Sequence, residues 1–396
     1  MVSMMFNEIE LSSVITDIAA GPFGSNLKVS CFVPYGFPII DGANLKGFKV
    51  TDNLTKFVTE EKARSLSRSI ARRGDVIITI SGTLGQIAYI PDDSMFEEYL
   101  CSQRQFRVSF DSSRVYVPYL VFYFHTNEGQ GKILSFANQT GVPALSQPLK
   151  NFRKIRIQLP SYTEQRRIAS VIEAINDKIE CNQKVNDNLA ELLQTVYQER
   201  FGDVSAAGEQ GKLLDICFYS KDRVAVSELN TSTYFSTENM LPGKAGATEA
   251  ASLPTTPQTT ACHNGDTLIS NIRPYFKKIV YCNDECGCST DVLCFTPVQS
   301  KYAAYLFSTL YADKFFAFMV TGSKGTKMPR GDKQQIMSYP VALPSEEELK
   351  EFNALALPVL AKIHSNKAEN KRLSATRDAL LPKLMSGEID VSDIQF

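Results

Sequence analysis

From Ile168 the apolar residues of this chain recur at alternating steps of four and three. The series runs Ile168, Ile172, Ile175 and Ile179, then Leu189, Leu193 and Val196, with Asn182 and Asn186 at the two intervening positions. That spacing keeps one seam along one side of a helix, the heptad pattern of a coiled coil. A shift of 184 residues gives a second series: Phe352, Ala356, Val359, Ile363, Asn366, Asn370, Leu373, Arg377 and Leu380. The asparagines fall on the same two seam positions in both copies, and only Arg377 breaks the apolar pattern. A buried seam asparagine costs stability but fixes register and partner, because a mispaired amide loses its hydrogen bonds. The two helices are therefore expected to pair with each other, although two unrelated amphipathic helices on separate cores stay open on pattern alone. A helix over about 162–198 would be roughly 55 Å long, too long for a compact domain and suited to a spacer. Gly202 and Gly387 follow the two segments as stop signals. Pro358, where the first copy has Ala174, predicts a kink or break in the second helix.

A fainter repeat lies upstream. GDVIITI at 74–80 matches GDTLISN at 265–271, each a Gly-Asp turn entering an alternating apolar strand. Tyr119-Leu120 and Tyr305-Leu306 open similar helical patterns, and Pro143 and Pro329 follow at comparable distances. The expected fold is α+β: a globular unit over 1–158, a long helix over 159–202, a second globular unit over 203–342, and a second helix with its tail over 343–396. Each globular unit should mix short strands, turns and a helix or two.

Composition narrows the function by exclusion. The chain is 43% hydrophobic and 21% charged, as soluble globular proteins are, with a net charge of −1. That balance argues against a protein that coats polyanions, so any nucleic-acid binding must come from local patches. No apolar run approaches the ~20 residues of a membrane span. The N-terminus lacks the basic flank and apolar core of a secretory signal. Nine scattered cysteines, an odd number, suit reduced thiols in a cytosol.

Catalytic motifs are missing. TGSKGTK at 321–327 has glycines and lysines at the wrong spacing for a phosphate loop, and no Asn-Pro-Pro-aromatic tetrad of an amino-methyltransferase occurs. His125, His263 and His364 stand in no metal or triad pattern. Cys282, Cys286, Cys288 and Cys294 depart from the paired knuckles of zinc sites and read better as packed thiols. Basic clusters are more suggestive. Lys62, Arg64, Arg68, Arg72 and Arg73 precede the first Gly-Asp turn, and Lys150, Arg153, Lys154 and Arg156 precede the first long helix. NIRPYFKK at 271–278 and GSKGTKMPRGDK at 322–333 place cations around aromatics and glycines in the second unit. Such loops offer cations for phosphates and polar groups for base edges, while a merely solvated charged surface remains the alternative.

The tandem order, together with LPSYTEQRRIASVIEAINDKIECNQKVNDNLAELLQTVYQERFGD, resembles the specificity subunits of type I restriction–modification enzymes. Supporting stretches are GPFGSNLK (21–28), FPIIDGANL (37–45) and GDVIITISGTLGQIAYI (74–90) in the first unit. YFSTENMLP (234–242), GDTLISNIRPYFKKI (265–279) and SKGTKMPRGDK (323–333) support it in the second. The resemblance spans essentially the whole chain, although no single motif is decisive. The second copy departs from the family pattern where Glu164-Gln165 becomes Glu348-Leu349, which with Pro358 and Arg377 puts the packing of that helix in doubt.

The resemblance implies a non-catalytic chain with two target recognition domains, each reading half of a split, asymmetric site on double-stranded DNA. It implies an antiparallel pair of helices acting as a ruler and docking two methylating subunits, which bring S-adenosylmethionine and modify adenine. An ATP-driven, Mg2+-dependent restriction subunit that translocates and cuts DNA would join them, all in the cytoplasm, with no cofactor on this chain and no membrane. The recognition loops should face the major groove, where all four base pairs differ. Candidate readers and phosphate contacts in the first unit are Arg72, Arg73, Ser81, Thr83, Arg104, Gln139, Thr140 and Lys150. Those in the second are Asn271, Arg273, Tyr275, Lys277, Lys278, Lys324, Lys327, Arg330 and Lys333. For Tyr275 strand packing, and for Ser81 turn capping, are equally open. The helix-pairing residues are expected to be Ile168, Ile172, Ile175, Ile179, Asn182, Asn186 and Leu189 with Phe352, Val359, Ile363, Asn366, Asn370 and Leu373. Two rival readings are a stand-alone DNA-binding regulator, which would bind tightly alone, and a coiled-coil protein scaffold, which would show no sequence preference at any salt concentration.

Overall fold

The computed structural model describes residues 7–138, 141–206 and 208–394. The chain folds as two compact units, one formed by residues up to Ile179 together with Arg372 onward, the other by Glu180–Lys371. Both long helices, Tyr162–Phe201 and Glu346–Met385, contribute to each unit.

In the first unit the Gly-Asp turn starts the main strand for a physical reason. Gly74 takes a left-handed φ of +85°, which a side chain would resist. The buried Asp75 carboxylate accepts the Arg72 N–H at 2.9 Å and the Ser109 hydroxyl, closing the turn. The following run, Val76–Thr79, is buried throughout and central in an antiparallel sheet ordered Ile15–Ala20, Gln105–Phe110, Val76–Thr79, Ile87–Tyr89. A second sheet is ordered Phe57–Val58, Phe37–Ile40, Glu98–Cys101, Ile70–Arg72, its middle pair parallel. Tyr119, Phe122 and Ile133, from helices Val117–Phe124 and Asn127–Leu134, close the core over Val76, Ile78, Phe106 and Val108. Ile168 and Ile172 of the first long helix and Leu381 and Leu384 of the second complete it.

The second unit repeats this plan. Gly265 takes φ +92°, and buried Asp266 accepts the His263 N–H at 2.8 Å. Its main sheet is ordered Cys217–Tyr219, Val292–Pro297, Thr267–Ser270, Ile279–Tyr281, again antiparallel. The other sheet keeps a parallel pair, Tyr234–Phe235 beside Gly287–Cys288, but carries its fourth strand, Arg223–Ala225, beside Gln258–Cys262. Ile269, Phe295, Tyr305 and Phe315 share a core with Leu193, Tyr197 and Phe201 of the first long helix and Phe352 and Ala356 of the second. In both units the opening strand pairs with the segment entering a long helix: Asn7–Glu10 with Arg156–Leu159, and Gln210–Lys212 with Pro340–Ala342.

Each long helix begins with a reciprocal Ser-x-x-Glu cap. Ser161 N–H donates to Glu164 Oε2 at 3.0 Å while Glu164 N–H donates back to Ser161 Oγ at 3.4 Å; Ser345 and Glu348 do the same at 2.8 and 3.3 Å. The next residue differs in kind. Fully buried Gln165 accepts the Tyr116 N–H at 2.8 Å and donates to the carbonyls of Arg114 and Pro160 at 2.9 and 3.0 Å. Its counterpart Leu349 joins the apolar core of the second unit. A polar anchor in one copy is an apolar one in the other.

The second helix runs through Pro358 without a break. Pro358 and Ala354, whose carbonyl loses its helical donor there, are both exposed, so water can satisfy that carbonyl. The helix stops at Gly387, φ +73°, whose N–H reaches Leu384 O at 3.3 Å while Glu388 N–H reaches Lys383 O at 3.0 Å. Gly202 takes no left-handed φ; its N–H continues the helical pattern to Gln198 O at 3.0 Å.

Within the second unit the helices run antiparallel. Asn182 Nδ2 donates to Asn370 Oδ1 at 2.8 Å and to Glu369 Oε2 at 2.9 Å, and Asn366 Nδ2 donates to Asn186 Oδ1 at 2.8 Å. The first asparagine of each copy thus meets the second of the other, as two copies of one pattern must when they run in opposite directions. Within the first unit Arg377, the residue that interrupts the apolar series, donates to Asn176 Oδ1 at 3.1 Å and lies 5.3 Å from the ring centre of Phe48. Asn366→Leu alone should cost about 1–3 kcal/mol, because Asn186 is left without its donor. Leucine at both 186 and 366 should recover that loss or exceed it. Chemical unfolding of the two single variants and the double variant measures the coupling, and simple additivity of the losses would show that the amides do not act as a pair.

Candidate DNA-recognition loops

In the first unit the strand Val76–Thr79 does not end in open solvent. Ile80 N–H donates to Arg104 O at 2.6 Å, Leu145 N–H donates to Ile80 O at 2.8 Å, and Gly82 N–H donates to Pro143 O at 3.0 Å. These three bonds bring three loops together: the 80–86 turn, the 102–104 turn and the hairpin Ala137–Asn138 with Ala144–Leu145. Ser81, Thr83 and Arg104 lie in this cluster, with Thr83 and Arg104 exposed and Ser81 bridged to Ala144. Gln139 and Thr140 lie outside the described residues.

The same three bonds occur in the second unit. Asn271 N–H donates to Asp291 O at 2.8 Å, Gly331 N–H to Asn271 O at 3.3 Å, and Arg273 N–H to Pro329 O at 2.8 Å. Position for position, Gly82 corresponds to Arg273, Arg104 to Asp291 and Ala144 to Arg330. A further bond, Thr79 N–H to Gln86 O at 3.0 Å, matches Ser270 N–H to Lys278 O at 3.2 Å and sets Gly85 against Lys277. Gly82 and Gly85 take φ of +98° and +85°, and Arg273 and Lys277 hold +52° and +51°. A side chain in this backbone region costs about 1 kcal/mol or more, which glycine avoids. Cations held there against that cost make the loop a candidate functional site. The Asn271 Oδ1 and Arg273 Nε atoms are buried without a protein partner, a further sign of unused hydrogen-bonding capacity in this cluster.

The remaining candidates scatter. Arg72 and Arg73 sit at the opposite end of the main strand from Ser81, roughly 20 Å along it. There Arg72 pairs with Glu98 at 3.0 Å and Arg73 donates to Ser94 O at 2.7 Å. Lys150 is exposed on the short helix Pro148–Arg153 that follows the hairpin. In the second unit Lys277 and Lys244 share Asp313, and their hydrogen bonds, Lys244 foremost, hold its carboxyl below the usual range. Lys324 does the same to Asp332 at 2.6 Å. Lys278 donates to Thr237 O, and burial lowers the pKa of its amine. Lys333 lies 5.7 Å from the Tyr219 ring centre. Tyr275 is half exposed and packs on Phe276 at 4.7 Å instead of entering a strand, and Lys327 is exposed at the tip of the 324–330 hairpin.

Three residues beyond the sequence candidates belong to the clusters. Asp291 escapes a search for cations because it is acidic. Phe23, 83% exposed, stands on the 21–28 loop, which Gly21 N–H ties to Gln105 O at 2.8 Å and Gln103 ties to Leu27 O at 2.7 Å. Gly21 is obligatory, since a Cβ there would meet Ser102 O at 1.8 Å. Met328 is exposed beside Lys327. The GPFGSNLK motif was the available signal for Phe23, but composition alone cannot tell an exposed phenylalanine from a core one. Cys262, Cys282, Cys286, Cys288 and Cys294 are buried together in one apolar cluster. Among the described residues no group of three or more His, Cys, Asp or Glu side chains is arranged to hold a metal ion. Among the same residues no helix is long and apolar enough to cross a membrane.

Residues 33–191 match the family described as Type I restriction modification DNA specificity domain. The chain is also 21% identical over 370 residues to the type I restriction enzyme MjaIX specificity subunit of Methanocaldococcus jannaschii, covering 85% of this chain and 82% of that protein. Over residues 33–191, then, the chain is similar to the DNA specificity domain of type I restriction–modification systems. Its fold is similar to that of the type I restriction–modification S subunit of M. genitalium, with a TM-score of 0.56 at 14% identity over 97% of each chain. A loop that keeps an arginine in left-handed backbone is expected to trade stability for binding. Arg273→Gly should raise the stability of the second unit by up to about 1 kcal/mol while weakening DNA selection. Thermal melting and methylation assays of the assembled complex check both halves, and a variant that is no more stable would remove the strain argument.

Proposed function

We propose that this chain is the specificity subunit of a type I restriction–modification complex, which selects DNA and does no chemistry itself, each loop cluster reading one half of a split, asymmetric site from the major groove. The observation that carries the reading is one backbone frame built twice with unlike side chains: Gly82, Arg104 and Ala144 in one unit, Arg273, Asp291 and Arg330 in the other. Equal frames present their loops alike, and unlike side chains meet unlike base edges, which suits a site whose halves differ. The paired long helices serve as a spacer that docks two methylating subunits, which bring S-adenosylmethionine and modify adenine. A restriction subunit using ATP and Mg2+ to translocate and cut DNA completes the complex, which works in the cytoplasm. Many recognition-loop cations are already paired with carboxylates, and the net charge is −1. Much of the grip on DNA would then come from the partners, with this chain supplying the choice of sequence. No observation favours the stand-alone regulator or the scaffold.

The test is long-read detection of modified adenines in cells expressing this chain with its methylating subunit. A single split motif is expected, lost when this chain is omitted and changed in one half when one recognition unit is exchanged. No motif with a demonstrably active methylating subunit would overturn the proposal.

A further inference from the structure

The pairing of Asp291 with Arg330 separates base reading from phosphate contact. Arg330 Nε and Nη2 donate to the same oxygen, Asp291 Oδ1, at 3.2 and 3.0 Å. A guanidinium has five N–H groups in one plane, so two are used and the Nη1–Nη2 edge keeps donors on both nitrogens. Two parallel donors on one edge match the O6 and N7 acceptors of guanine in the major groove. Both members of the pair are anchored on the backbone frame. Lys324 and Arg330 exchange two backbone bonds of 2.9 Å, Ile272 bridges to Arg330, and the Asp291 carbonyl accepts the Asn271 N–H at 2.8 Å. The Arg330 side chain is nonetheless 51% exposed, so its outer edge can meet a ligand.

A phosphate contact would need no such arrangement. A partly exposed carboxylate beside the duplex repels phosphates, and a long mobile cation serves a phosphate as well as a fixed one. A base reader gains from it, because a side chain already held in plane loses less freedom on binding. In the first unit the two equivalent positions carry Arg104 and Ala144, so no such pair forms there. We infer that Arg330, oriented by Asp291, reads a guanine in the half-site of the second unit, and that this contact has no equivalent in the first. The inference rests on the DNA-selection reading above. Asp291 is a positioning residue in it and touches no base.

The experiment compares the methylated motif of the complex carrying wild-type chain, Arg330→Lys and Asp291→Asn. Lysine keeps the charge, so a phosphate contact would survive, whereas the two-donor edge is lost. The wild type should show a guanine in one half-site. Arg330→Lys should make that position degenerate, with discrimination falling roughly tenfold or more, and leave the other half-site intact as an internal control for folding. Asp291→Asn should relax the same position less, and adding it to Arg330→Lys should have little further effect. Arg330→Lys with every position of a split motif unchanged, or a wild-type motif whose altered half holds no guanine, overturns this inference alone. So does loss of all methylation by an intact complex, since a single base reader governs one position. A wild-type chain that yields no split motif removes the DNA-selection reading, and this inference with it.

Discussion

The clustered loops depend on a constraint at the end of one strand: backbone N–H and C=O groups leaving a buried sheet must find partners. In each unit the residue after the main strand, Ile80 or Asn271, solves this by donating to one loop and accepting from another. The bonds that satisfy the backbone also fix the loops against each other. Side chains at these positions can then change without moving the frame, because the frame is made of main chain. Arg104 and Asp291 reverse the charge at one such position, and Gly82 and Arg273 exchange no side chain for a long cation at another. Side chains vary at least cost where the scaffold does not depend on the residue.

The long helices follow the opposite logic, since their register depends on particular side chains. Amides pair across the seam in the second unit, and Arg377 with Asn176 does polar work in the first. An all-apolar seam would be more stable but would tolerate slippage. The helix starts show where variation is allowed. The Ser-x-x-Glu caps are the same in both copies, because a helix end needs donors satisfied wherever it occurs. Gln165 and Leu349 differ because each meets a different neighbour, backbone groups of Arg114, Tyr116 and Pro160 in one unit and an apolar core in the other.

Near-neutral charge takes on meaning from the pairings. Arg72 with Glu98, Lys277 with Asp313, Lys324 with Asp332 and Arg330 with Asp291 cancel locally. Exposed pairs of this kind add little stability. What they do is orient cations and limit indiscriminate attraction to polyanions.

The sequence by itself determined the tandem order, the α+β class and the positions of the seam asparagines, because periodicity over many residues and a 184-residue offset are facts of spacing alone. It also placed Ser81, Thr83, Arg104, Asn271, Arg273, Lys327 and Arg330 within the loop clusters, since a turn after a strand is local information. Only the tertiary structure decided which of the remaining cations share a surface. Arg72 and Ser81 are close in sequence, yet an extended strand puts them roughly 20 Å apart. Asp291 and Arg330, distant in sequence, meet at 3.0 Å because two loops close on one strand end. The helical consequence of Pro358 was likewise a matter of surroundings, as its exposed side leaves the freed carbonyl to water. Spacing along a chain specifies elements, but contact between elements depends on how the backbone satisfies its own hydrogen bonds, which no single stretch of sequence records.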